Sequence, residues 1–390
     1  MEITSSERLH IAFFGCRNAG KSSLVNAVTN QNLSVVSDIK GTTTDPVKKA
    51  MELLPIGPVV IMDTAGLDDE GKLGELRIEK TIEVLGKTDI AVLVVDSTVG
   101  LSDYDNKIVK IFKERKLPHV VIHNKSDLIK KRKKKLIYTS AKTGEGINEL
   151  RELLGKIANE NKKEKYIIRD WLHAGDIVIL VIPIDESAPK GRIILPQQNV
   201  LREVLDVHAS AICVQPDELK EILNKINPYL VITDSQVFNK IKDIVPKNIT
   251  LTSFSILMAN YRGELKSLVD SAKVISELKE NDIVLISEAC THHRQCNDIG
   301  TVKLPKWIKE YTSKNVNFEF TQGGEFPSDL SKYKLIIHCG GCMINEAEMK
   351  TRQKRAKEQN VPMVNYGMAI AYMNGILDRA LEIFKNKCAK

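Results

Sequence analysis

The chain has 390 residues, 43% apolar and 27% charged, the mix of a globular protein with sizeable cores. At roughly 150 residues per domain, this length predicts about two or three domains. Seven cysteines are too few for a disulfide scaffold, and 57 basic against 50 acidic residues leave a net charge of +7, which permits nucleic-acid contact without demanding it. The apolar run Ile177 to Ile184 falls far short of the ~18 residues that cross a bilayer, so no membrane association is expected. The N-terminal Met-Glu-Ile-Thr-Ser-Ser-Glu-Arg has no basic segment leading into an apolar one, so no signal peptide is expected either. These features point to a multidomain cytoplasmic protein.

Strand and helix signals alternate from the start. His10 to Phe14, Val59 to Met62, Ile90 to Val95, Val120 to Ile122 and Leu136 to Thr139 read as strands. Amphipathic stretches near Ser22 to Thr29, Asp105 to Arg115 and Ile147 to Ala158 lie between or after them, which predicts a parallel sheet with helices on both faces. The polar stretch Asn159 to Lys165 is a candidate linker. Beyond it, Ile177 to Ile184, Ala211 to Val214 and Tyr229 to Thr233 read as strands, with helices at Asn199 to Leu205, Asp217 to Ile226 and Gln236 to Ile244. A third series begins near Leu265. Its strands are Ile283 to Ile286, Asn317 to Phe320, Leu335 to His338 and Pro362 to Asn365, and its last helices Asn345 to Gln359 and Met368 to Phe384. The expected fold class is α/β, with domains over residues 1–160, 166–262 and 263–390 and mainly parallel sheets in each.

Gly15-Cys16-Arg17-Asn18-Ala19-Gly20-Lys21-Ser22 fits the phosphate-binding pattern GxxxxGK[ST] between an apolar strand and a helix. Glycines let the loop turn its N–H groups, with those of the helix N-terminus, toward phosphate oxygens, and Ala19 and Ser23 complete the cradle. Lys21 is placed to bridge the β- and γ-phosphates, and Ser22 to ligate Mg²⁺. Asp63-Thr64-Ala65-Gly66 ends a strand, so Asp63 would hold Mg²⁺ through water and the Gly66 N–H would sense the γ-phosphate. Gly41-Thr42-Thr43-Thr44-Asp45 is the expected switch loop, with Thr42 and Thr43 at the nucleotide and Thr43 on Mg²⁺. Asn124-Lys125-Ser126-Asp127 follows another strand. There a carboxylate accepts from the guanine N1–H and exocyclic amine, donors that adenine lacks. Ser140-Ala141-Lys142 completes the base pocket. These motifs predict a GTPase domain. The basic run Lys130 to Lys135 has no interleaved aromatics and reads as a solvated loop.

The last third carries Cys290-Thr291-His292-His293-Arg294-Gln295-Cys296 and His338-Cys339-Gly340-Gly341-Cys342. Each group follows a strand, so in a parallel sheet both emerge at the carboxyl edge, where α/β folds build their sites. Soft thiolates suit zinc, for instance with Cys290, His292, Cys339 and Cys342, or an iron–sulfur cluster on three thiolates. Spacing leaves both open. Cys296 is equally a ligand or a loop residue, His338 adjoins a ligand but belongs to a strand, and Cys213 reads as strand core.

The nucleotide motifs resemble those of the Era and TrmE GTPases, whose switch loop reads Gly-Thr-Thr-Arg-Asp; Thr44 replaces that arginine here. Leu67 stands where Ras-like proteins carry the water-orienting glutamine, so slow hydrolysis is expected. The resemblance implies a potassium ion on Asn18. With the C-terminal Cys-x-His and Cys-x-x-Cys set, the whole chain resembles the HydF family of [FeFe]-hydrogenase maturation GTPases. That resemblance implies a homodimeric scaffold with a middle dimerisation domain and a [4Fe–4S] cluster on Cys290, Cys339 and Cys342. His292 would be the motif histidine, with an exchangeable fourth iron position. It also implies a transient diiron subcluster as cargo, and as partners the radical-SAM maturases HydE and HydG and the apo-[FeFe]-hydrogenase. The rival expectations are a GTPase for RNA modification or ribosome assembly, and a GTP-regulated zinc protein.

Overall fold

Parallel pairing dominates, as the alternation of apolar runs and amphipathic stretches predicts. The computed structural model describes residues 5–31, 47–64, 80–161, 164–184, 193–289 and 298–385. The chain divides into two compact units, Met1–Lys163 and Glu164–Lys390.

The first unit holds a six-stranded sheet of β1 (Leu9–Phe14), β2 (Val47–Leu53), β3 (Gly57–Asp63), β4 (Ile90–Asp96), β5 (His119–Asn124) and β6 (Ile137–Tyr138). Their order is β2-β3-β1-β4-β5-β6, and every pair is parallel except β2 with β3. Strand periodicity divides β1 between two cores. Ile11 and Phe13 pack with Leu24, Val28, Leu150 and Leu154 of the helices Lys21–Thr29 and Ile147–Asn161. Ala12 and Phe14 pack with Ile108 and Phe112 of the helix Asp103–Glu114. Burial on both faces explains the unbroken apolar run of β4. β2 is outside the predicted strands. Its sequence VKKAMEL has no apolar run, and as an edge strand paired on one side it needs none.

The second unit contains two four-stranded, all-parallel sheets. The first comprises β7 (Ile177–Val181), β8 (Ser210–Val214), β9 (Leu230–Thr233) and β10 (Thr250–Ser253), in the order β10-β9-β7-β8. The second comprises β11 (Ile283–Ser287), β12 (Asn317–Thr321), β13 (Leu335–His338) and β14 (Met363–Asn365), in the order β12-β11-β13-β14. One core runs through both, joining Val231, Phe238 and Leu251 to Leu285, Ile336, Val364 and Met368.

Several boundaries differ from expectation for local reasons. β7 stops at Val181, ahead of Pro183, which has no N–H to give a ladder. β10, with sequence TLTS, was not predicted, because its hydroxyl residues mask a buried strand. The helix expected over Met368 to Phe384 is divided into Tyr366–Met373, Leu377–Ala380 and the short turn Glu382–Lys385. This broken segment returns to the first sheet of the unit. There the Thr252 hydroxyl donates to the Ala380 carbonyl at 2.8 Å and Arg379 donates to the carbonyls of Lys242 and Val245. Cys213, expected in a core, is exposed, because β8 is an edge strand.

Candidate functional site

Residues 15–20 connect β1 to the helix Lys21–Thr29. Gly15, at φ +141°, approaches β4 so closely that a Cβ would lie 2.2 Å from the Val94 carbonyl oxygen. Gly20, at φ +85°, leaves room for the Asn124 side chain, and a Cβ there would lie 2.3 Å from Nδ2. Asn18 is also left-handed, at φ +58°. The helix has Gly20 as N-cap and no side-chain cap, so no capping side chain competes with an anion at its N-terminus. The buried Lys21 ammonium is held within the loop, donating to the carbonyls of Gly15 at 3.0 Å and Cys16 at 2.9 Å. Phosphate oxygens placed in this cradle would compete for the same charge.

The magnesium side is built from two strands and the helix. Ser22 Oγ donates to Asp63 Oδ2 at 2.7 Å, and the Thr64 hydroxyl donates to the Phe13 carbonyl at 2.7 Å, tying the end of β3 to β1. Asp63 Oδ1 is buried and has no hydrogen-bond partner among the described residues. A buried carboxylate oxygen without a donor fits a hydrated divalent cation. Thr42, Thr43 and Gly66, expected on the nucleotide side, lie outside the described residues.

The guanine-side motifs come together at the ends of β5 and β6. Asn124 acts as a bracket. Its Nδ2 donates to the carbonyls of Ala19 at 3.1 Å and Gly20 at 3.4 Å, and its Oδ1 accepts from the Ala141 N–H at 3.1 Å. Lys125 has a left-handed backbone, φ +62°, and its ammonium pairs with Asp96 at 2.6 Å. Burial pushes the Asp96 carboxyl up, and hydrogen bonds from Lys125 and Thr98 outweigh it, leaving this group below the usual carboxylate range. Asp127 Oδ1 accepts from the Ser140 hydroxyl at 2.7 Å, which orients the carboxylate expected to read guanine. Lys142 follows on an exposed turn.

Sequence reasoning missed Glu145. It accepts from Ser126 Oγ at 2.8 Å and from both terminal nitrogens of Arg132, at 2.6 and 2.9 Å. Arg132, itself exposed, thus ties the basic run to Glu145 beside the expected base pocket, and Lys131 and Lys133 to Lys135 are exposed as well.

In the second unit, β11 and β13 are neighbours, with Ser287 opposite His338, so the chain leaves both at the same edge. The Ala289 N–H donates to Cys339 Sγ at 3.1 Å and the Gly341 N–H donates to it at 3.4 Å. Such contacts stabilise negative charge on sulfur. Burial pushes the Cys339 thiol up to about 11 and raises that of Cys342 as well, so ionisation there calls for a soft cation. Cys290, His292 and Cys296 lie outside the described residues, among which no group of three or more metal-donor side chains is assembled. One thiol with two backbone donors and a second three residues on, beside the segment that leads to Cys290, fit the described part of a thiolate-ligated centre.

His338 does not join them. Arginine only donates, so the contact of Arg352 Nη1 with His338 Nε2 at 3.1 Å makes Nε2 the acceptor, and Nδ1–H donates to the Cys339 carbonyl at 2.7 Å. Burial, reinforced by the Arg352 charge, pushes this imidazole down to about 3. It is a neutral strand residue with both nitrogens engaged.

Comparisons with known proteins follow the same division. Residues 10–125 match the family described as 50S ribosome-binding GTPase, residues 167–263 the hydrogen maturase F dimerization domain, and residues 266–383 the hydrogen maturase F tetramerization domain. GTPase Der of Kosmotoga olearia is 32% identical over 176 residues, covering 40% of each chain. The tRNA modification GTPase MnmE of Desulforamulus reducens is 33% identical over 168 residues, covering 40% of this chain and 36% of its own. The chain thus spans about two fifths of the length of these curated relatives. Among solved structures, Era of Aquifex aeolicus aligns at 20% identity over 53% of this chain and 91% of its own, with a TM-score of 0.36.

Proposed function

The chain belongs to the hydrogen maturase F family, carries a GTPase domain ahead of the two family domains, and from this we propose that it is a GTP-hydrolysing scaffold of [FeFe]-hydrogenase maturation. It binds a [4Fe–4S] cluster, assembles or delivers the diiron subcluster as cargo, and passes it to the apo-[FeFe]-hydrogenase, with HydE and HydG as the other partners. The observation that carries this reading is the Cys339 sulfur accepting N–H groups from Ala289 and Gly341, on a chain that also carries a phosphate loop bracketed to a guanine pocket. Cys290, Cys339 and Cys342 would hold the cluster, with His292 or another donor at the fourth iron. When bound, the cluster supplies redox-active iron with an exchangeable position. The division into a GTPase domain, a dimerisation domain over residues 166–262 and a cluster domain over 263–390 belongs to the same proposal, as does the homodimer.

On the nucleotide side, Lys21 would move from the loop carbonyls to the β- and γ-phosphates, and the N–H groups of Ala19 to Ser23 would face the phosphate chain. Ser22 and Asp63, already in contact, would present oxygen to Mg²⁺, with Thr43 added from the switch loop. Asn18 would hold the potassium ion. Asp127 would read guanine, with Ser140 fixing its orientation. GTP ordering the segments around Thr42 and Gly66, and hydrolysis releasing them, is the switch that would bias partner binding. With Leu67 in place of a water-orienting glutamine, turnover would be slow and stimulated by potassium over sodium.

Anaerobic reconstitution with iron and sulfide tests the central claim. The expected result is a brown protein with about four irons per chain, whose visible charge-transfer absorption is lost in Cys339→Ser while GTP hydrolysis persists. A colourless protein with about one tightly held zinc would overturn the cluster in favour of the zinc reading. Tight RNA binding with a steep salt dependence would favour the RNA-directed alternative.

A further inference from the structure

Arg262 ends the helix Phe254–Arg262, within the residues matched to the dimerization domain. The cysteine turn lies in residues matched to the other family domain. The arginine is 3% exposed and reaches across that boundary. Its Nη1 donates to the Gly341 carbonyl at 2.5 Å and also to the Ile344 carbonyl. Both acceptors belong to the turn that carries Cys342, so one guanidinium grips the turn on either side of the sulfur.

Buried against those two carbonyls, the guanidinium holds its positive charge beside the turn that carries Cys342, where little water screens it. Arg352, a second buried guanidinium among the described residues, is engaged with Glu348 at 2.5 Å and with His338.

We propose that Arg262 is a positioning residue of the cluster site, fixing the turn that carries Cys342 and setting the reduction potential of the cluster that this turn would hold. The inference deepens the scaffold reading and rests on it. Two consequences separate charge from geometry. A nearby cation favours the reduced, more negative cluster, so removing it displaces the potential to more negative values. Both carbonyl contacts come from one nitrogen that the rigid guanidinium plane aims at the turn, and lysine carries its charge on a shorter, flexible stem without that plane.

The test uses the full chain, reconstituted with iron and sulfide, as wild type, Arg262→Met and Arg262→Lys. Readouts are iron per chain, the rate of iron loss to a chelator, and a potentiometric titration followed by electron paramagnetic resonance. Arg262→Met should lose iron about ten to a hundred times faster, as other supporting residues of metal sites do, and its remaining cluster should titrate at a more negative potential. Arg262→Lys should keep a potential near that of wild type while losing iron faster. Should the methionine variant fail to fold, the lysine variant decides, since wild-type retention in it overturns the positioning role. Clusters indistinguishable from wild type in both variants overturn the inference alone. A wild-type chain that takes up no cluster overturns the scaffold reading together with it.

Discussion

The Asn124 side chain donates to the Ala19 carbonyl at 3.1 Å while accepting from the Ala141 N–H at the same distance. The phosphate loop, the loop expected to recognise guanine and the turn after β6 are thus joined through one buried carboxamide. Asn124→Ala should leave these backbone groups unpaired, at about 1–3 kcal/mol for each buried group. Thermal unfolding should move to lower temperature and GDP affinity should fall by about tenfold or more, as the loops lose their common anchor. Unchanged GDP affinity in calorimetry would show that the bracket does not couple them.

Asp127 is oriented by Ser140 at 2.7 Å. Asp127→Asn replaces an acceptor pair with a carboxamide that meets guanine donors with its own N–H. GTP affinity should drop by about a hundredfold or more, and xanthosine triphosphate should bind better to the variant than to wild type. Competition against a fluorescent nucleotide measures both.

Contact between Ser22 and Asp63 at 2.7 Å places two expected magnesium-side oxygens together. Asp63→Asn removes the carboxylate whose Oδ1 has no donor among the described residues. Hydrolysis should fall by about a hundredfold, equivalent to ~3 kcal/mol. The magnesium concentration for half-maximal rate should rise. An unchanged magnesium requirement would remove Asp63 from this role.

Arg352 carries a stability prediction. Its guanidinium is 3% exposed and pairs with Glu348, 11% exposed, at 2.5 Å. It also donates to the Gly323 carbonyl at 2.7 Å and stacks over Phe326. Arg352→Met strands the glutamate, and breaking such a pair costs about 3–5 kcal/mol. Chemical denaturation should show the second unit unfolding earlier, with the GTPase transition unmoved. The double change Arg352→Met with Glu348→Leu should recover much of the loss.

Much of the molecule was readable along the chain. The apolar runs that became β1, β3, β4, β7, β11 and β13 are buried on both faces, and a parallel sheet under helices imposes that pattern on contiguous residues. The phosphate loop was equally plain, because its glycines are required by close approaches to Val94 and Asn124. What escaped was structure whose sequence carries little apolar signal. β2 needs only one partner, and β10 hides a buried strand behind threonine and serine. Cys213 misled for the converse reason, since an apolar run does not tell an edge strand from a central one.

The sequence by itself determined the chemistry available: a nucleotide loop, a guanine motif, and cysteines after two strands, because each depends on residue type and local spacing. Only the tertiary structure decided which side chains meet across distant segments. It set Glu145 and Arg132 against Ser126, turned His338 into a buried acceptor for Arg352, and brought Arg262 to the Cys342 turn. These choices depend on strand order and on helix packing, which place residues within hydrogen-bond distance whatever their separation along the chain.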